Sequence, residues 1–117
     1  MDSFGASIRA VRVGLSEQDS RFSVRQVAAA VGIEPAYLSK IERGVFSPPS
    51  EQVICRIAAV LGEDEDVLLA MAGKLSSELQ RIILRRPKLF AELIRELKNA
   101  PDHAVLRVAR EVKDGKW

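Results

Sequence analysis

The chain has 117 residues, 47% hydrophobic and 29% charged, with 18 basic residues against 16 acidic ones. That length holds one domain, or one domain with an appendage, and allows a core without disulfide or metal staples. No apolar run reaches the ~18 residues of a membrane span, the opening MDSFGASIRAV has no signal-peptide apolar region, and the single Cys55 has no internal partner. The expected setting is a reducing cytoplasm, with no membrane. Divided at Leu61, the front carries seven basic and six acidic residues and the rear eleven and ten. Neither is a basic tail that binds nucleic acid without sequence preference, so any nucleic-acid site must be a local patch.

In chain order, Phe4, Ile8, Val11 and Leu15 recur at helical spacing and predict a first amphipathic helix. LSEQDSRF has no period and reads as a loop. Ser23 followed by Gln26 is the pattern of a capping box, opening a second helix with Val24, Val27, Ala28 and Val31 inward. Gly32 ends it. Pro35 opens a third helix with Leu38 and Ile41 inward, and Gly44 follows its end. FSPPS is a turn, and Ser50 caps a fourth helix with Val53, Ile54, Ile57, Ala58 and Leu61 on one face. Gly62 stops it. Asp64 caps a fifth, with Val67, Leu68 and Met71 inward, which stops at Gly73.

Three further helices are expected behind it. Leu79, Ile82 and Ile83 mark one closed by Pro87. Phe90, Leu93, Ile94 and Leu97 mark another, closed by Pro101. Val105, Val108, Ala109 and Val112 mark the last, after which DGKW frays. No strand-like alternation or repeat is seen, so the fold class is all-α.

The segment Val24 to Arg43 meets the demands of a helix-turn-helix, in which two helices cross at roughly 90–120° over a tight turn. Ala28 is small where the helices approach, and Gly32 tolerates the turn's positive φ. Val27, Val31, Ile33, Leu38 and Ile41 lock the pair. Tyr37, Lys40 and Arg43, spaced by three, share the outer face of the second helix.

This segment resembles the helix-turn-helix of the Xre family, the phage repressor and Cro type of DNA-binding domain. The resemblance covers about Phe4 to Ala72 and rests on Ala28, Gly32, the apolar lock positions, YLSKIERG from Tyr37 to Gly44, and PSEQVI leading into the fourth helix. It implies a five-helix repressor-like domain over residues 1–72 that binds double-stranded DNA, with residues 73–117 as a helical extension. It places base reading on Pro35, Ala36, Tyr37, Ser39 and Lys40. Lys40 can donate to guanine O6 and N7, and Tyr37 and Ala36 can lie against a thymine methyl group. It places phosphate contacts on Arg43 and on the second helix's start: Ser23 and Val24 through backbone N–H groups, with Arg25 and Gln26 nearby. Two departures stand out. Glu34 replaces the usual Ser or Thr before the recognition helix; it suits a helix N-terminus and either accepts from cytosine N4 or faces away. GLSEQDSRF is longer than the family's first connection.

The remaining polar residues have structural readings. Glu42 is expected to pair with Arg9 or Arg12. Cys55 reads as a small buried apolar side chain, and His103 as exposed near a helix start. The acidic run Glu63 to Asp66 reads as a helix-capping loop, and Trp117 as an anchor in a packed contact. No motif supports catalysis, a metal or a cofactor, and the extension is too short and helical for a Ser–Lys self-cleaving domain. Three short amphipathic helices cannot bury their own faces in isolation, so the extension must pack on the front domain, a second copy or another protein. The reading is a homodimeric regulator, more in the manner of a repressor. The alternatives are an antitoxin whose extension wraps a toxin and a helical adaptor without a DNA role.

Overall fold

A computed structural model describes residues 3–115 and 117. Among them are eight α-helices and no strand: α1 (Phe4–Ser16), α2 (Val24–Val31), α3 (Pro35–Glu42), α4 (Glu51–Leu61), α5 (Glu65–Met71), α6 (Ser77–Arg85), α7 (Pro87–Leu97) and α8 (Asp102–Asp114). None is long and apolar enough to cross a membrane. The chain divides into two compact units, one running to Ser77 and the other starting at Glu78.

Local chemistry sets the starts of most helices in the first unit. The hydroxyls of Ser3, Ser23 and Ser50 accept from the N–H groups of Ala6, Gln26 and Val53. One carboxylate oxygen of Asp64 accepts from both Asp66 and Val67. Each cap satisfies donors that the first helical turn leaves unpaired. At Ser23 only one arm of the expected box forms, because the Ser23 N–H donates to the Ser20 carbonyl. That bond belongs to a single 3-10 turn, Ser20–Phe22, inside the segment read as irregular. Asp19 caps that turn, accepting from both the backbone and the guanidinium of Arg21. This guanidinium holds the Asp19 carboxyl below its ordinary pKa.

The core of this unit lies where α1, α2 and α3 meet, with α4 closing it beneath α2 and α5 packed on α4. Phe4, Ile8, Val27, Ala28, Val31, Leu38, Ile41, Ile54, Ile57, Ala58, Leu61, Leu68 and Leu69 are buried. Burying each large side chain stabilises by about 1.5–3 kcal/mol. The α5 register differs from expectation. Leu68 and Leu69 are inward, whereas Val67 and Met71 are 51% and 49% exposed. α5 has seven residues, and one neighbouring pair fills its contact with α4. Val67 and Met71 lie to the side, along a shallow groove with Ser7 and Val11 of α1.

The polypeptide between α5 and α6 belongs to the first unit. The Lys74 ammonium donates to the Pro49 carbonyl. Ser77 donates to both carboxylate oxygens of Glu51, from its N–H and its hydroxyl.

In the second unit no side chain of α6, α7 or α8 is buried. Leu84, Leu89 and Val112 are 72%, 63% and 62% exposed. Trp117, read as an anchor, is 88% exposed in the single chain. Of the expected frayed end DGKW, Asp114 is still helical and Gly115 is the αL cap, while Lys116 lies outside the described residues.

Candidate nucleic-acid interface

α2 and α3 pack together, and the Ala28 side chain in α2 is fully enclosed. The Ala28 carbonyl accepts from both Gly32 and Ile33, at 2.8 and 3.0 Å, and so closes the turn. Gly32 makes that turn at φ 87°, where a side chain would be strained. Pro35 then starts α3, with its fixed φ in the first turn. Glu34 precedes it, exposed and without a side-chain capping bond. Leu38, Ile41 and Glu42 turn inward and fix the rotation of α3. Ala36 and Arg43 are exposed, and Pro35, Tyr37, Ser39 and Lys40 are half-buried.

α1 pins this helix from behind. Arg12 donates from Nε and Nη2 to the two carboxylate oxygens of Glu42, at 2.7 and 2.8 Å. Its Nη1 donates to the Phe22 carbonyl at 3.2 Å. Both side chains are buried, and the hydrogen bond to Glu42, ahead of the opposing cost of burial, raises the Arg12 pKa. Of the two partners expected for Glu42, Arg12 is therefore the one. Gly5 of α1 provides the close approach. A Cβ there would lie 3.0 Å from the Glu42 carbonyl oxygen and nearer still to that of Ile41.

The outer side of α3 has two edges. On one, Tyr37 and Lys40 meet Phe46, which stands beyond the end of the helix. The Tyr37 and Phe46 ring centroids are 5.9 Å apart, and the Lys40 ammonium is 5.2 Å from the Phe46 centroid. On the other, Ser39 and Arg43 share an open cleft with Arg9 of α1 and Val24 of α2. The N-terminus of α2 opens beside this cleft, with Arg25 and Gln26 exposed and the Ser23 hydroxyl engaged in capping.

The structure thus brings Tyr37 and Lys40 together, sets Ser39 and Arg43 apart from them, and adds Phe46 and Arg9. Phe46 carried one signal in the sequence, an aromatic residue in a loop of Gly, Ser and Pro. Arg9 carried none beyond its place on the polar side of α1.

The outlying residues have other roles. Cys55, expected to be buried, is only partly so. Its thiol is pushed up, first by burial and then by a hydrogen bond with Glu65 and the neighbouring carboxylates. His103 is exposed, one residue into α8. Counted by unit, the first holds eight basic and ten acidic residues and the second ten and six. The four acidic residues Glu63 to Asp66 lie behind Leu61 but within the first unit, which is why the two halves about Leu61 look balanced.

Two short helices joined by a tight turn at Gly32, packed together and with a polar outer face on the second, define a helix-turn-helix unit. Residues 3–71 match the family model described as a helix-turn-helix domain, and the chain belongs to that family. Over 40 residues it is 45% identical to the HTH-type transcriptional regulator SlrR of Bacillus subtilis (strain 168), covering 34% of this chain and 26% of that protein. Over 77 residues it is 34% identical to the uncharacterized HTH-type transcriptional regulator RghRB of the same organism, covering 66% and 52%. The chain spans about half, or less, of the length of these curated relatives. No solved structure matches it.

Proposed function

We propose that this chain is a sequence-specific DNA-binding transcriptional regulator of the Xre, phage repressor and Cro type, acting in the cytoplasm as a homodimeric repressor. It is not an enzyme and needs no cofactor. The observation that carries the reading is the outer side of α3. Its inward residues are fully committed to the core and to Arg12, so Ala36, Tyr37, Lys40 and Arg43 remain for an external ligand. The family match and the names of both relatives support DNA as that ligand.

In this reading Lys40 donates to guanine, Ala36 and Tyr37 meet a thymine methyl, and Pro35 and Ser39 border the base edges. The N–H groups at Ser23 and Val24 and the side chains of Arg25, Gln26 and Arg43 hold phosphate. The first unit is acidic overall, so within that unit attraction to DNA is confined to this patch. The second unit supplies the dimer contact. Its helices bury nothing fully in the single chain and expose leucines that a second copy would cover. The same exposed faces support a second reading, an antitoxin whose extension receives a toxin chain.

The test is fluorescence anisotropy on genomic fragments across a salt series. A regulator binds some fragments far more tightly than random duplex, and its affinity falls steeply as salt rises. Equal, weak binding to all fragments would refute the reading.

A further inference from the structure

We propose that Phe46 is a positioning residue of this surface, holding the Lys40 ammonium in a fixed place so that an ordered cation meets the base pair. The inference rests on the DNA-binding reading and extends it to a residue outside α3.

The backbone shows how Phe46 reaches its place. After α3 the chain turns through Gly44 at φ 75°. The Val45 and Phe46 N–H groups then both point back to the Lys40 carbonyl, at 2.9 and 3.4 Å. The turn is thereby wound onto the residue whose side chain the Phe46 ring meets. The ammonium lies 5.2 Å from the ring centroid, within the ~6 Å range of a cation–π contact. The Tyr37 ring, tilted by 53°, lies 5.9 Å from Phe46. This is a favourable spacing for tilted aromatic pairs.

A free lysine side chain has four rotatable bonds and loses that freedom when it grips a base. A lysine already resting on an aromatic ring loses less. It can still donate, because the ring engages one side of the ammonium and leaves N–H bonds pointing away. Phe46 is 46% exposed and stands outside the buried core, so replacing it should leave the fold intact.

The experiment uses the full chain and a duplex obtained from it by selection from random DNA. Affinity ratios between that duplex and its single-base variants are measured for wild type, Phe46→Leu, Phe46→Tyr, Lys40→Ala and the Phe46→Leu, Lys40→Ala pair. Phe46→Leu should lower discrimination about two- to fivefold, the worth of an exposed cation–π contact, at the base pair that Lys40→Ala relaxes. Phe46→Tyr keeps the π face and should keep the discrimination. The double variant should lose no more than Lys40→Ala alone. In the DNA-free protein, the Lys40 ε-methylene protons should show an upfield ring-current shift that Phe46→Leu abolishes and Phe46→Tyr preserves. Unchanged discrimination in Phe46→Leu, a loss at a different base pair, or unshifted Lys40 protons in wild type would overturn the proposal. A shifted Lys40 signal in a protein that selects no DNA would refute the DNA reading and the positioning role with it, while leaving the ring contact established.

Discussion

Arg12 in α1 grips Glu42 at the end of α3 through two charge-assisted hydrogen bonds, 2.7 and 2.8 Å long, with both side chains buried. The pair fixes the rotation of α3, and with it which residues face outward. Removing one partner leaves the other charged and buried. Arg12→Ala or Glu42→Ala should therefore destabilise the first unit by about 3–5 kcal/mol. Replacing both, Arg12→Met with Glu42→Leu, should cost much less. Urea unfolding of the three variants checks this; a double variant as unstable as the singles would contradict it.

Gly5 and Gly14 lie on the same helix and should respond in opposite ways to alanine. A Cβ at Gly5 runs into the backbone carbonyls of Ile41 and Glu42, which cannot move without shifting α3. Gly5→Ala should destabilise by about 1–3 kcal/mol, the cost of overpacking. At Gly14 a Cβ meets nothing within 4 Å. Gly14→Ala should stabilise by about 0.5–1 kcal/mol through helix propensity. Thermal unfolding of both decides it, and a tolerated Gly5→Ala would mean that α1 and α3 are farther apart than described.

Lys40→Ala should cost about 1–3 kcal/mol of DNA affinity and relax preference at one base pair. Arg43→Ala should weaken all sequences about equally and flatten the salt dependence. The two side chains lie on different edges of α3, one at Phe46 and one in the cleft with Arg9. Affinities for selected and random duplexes separate the two; equal effects of Lys40→Ala on both would remove it from base reading.

Ending the chain after Ser77 should leave a folded, monomeric first unit, since its core residues all precede that point. Operator binding should weaken strongly, because two linked half-site contacts become independent. Sedimentation of the full and shortened chains gives the answer. A shortened chain that stays dimeric places the interface in the first unit. A monomeric full chain favours the antitoxin reading.

The segment from Val24 to Gly44 was legible in the sequence because its constraints are local: an N-cap serine, a small residue at the crossing, a glycine in the turn and a proline at a helix start. Longer-range facts were not. Arg9 and Arg12 sit three residues apart on one helix, and only the fold shows that Arg12 can also reach the Phe22 carbonyl behind the 3-10 turn. Gly5 looks like an ordinary weak helix residue until α3 is laid across it. Periodicity does not single out Leu69, because Val67 and Met71 fit a helical period equally well, and only packing in the fold chooses between them. Phe46 is six residues beyond Lys40 in a connection without periodicity, so its contact follows from the turn at Gly44 and not from spacing.

On the proposed reading, paired copies of α3 meet a two-fold-related DNA site. Selection of bound duplexes from a random library, followed by footprinting of the winners with the full chain, tests it most directly. The expected result is an inverted repeat protected in two segments on one side of the duplex, about 34 Å apart or a multiple of that. Recovered duplexes with no common sequence, and no protection at low salt, would contradict it.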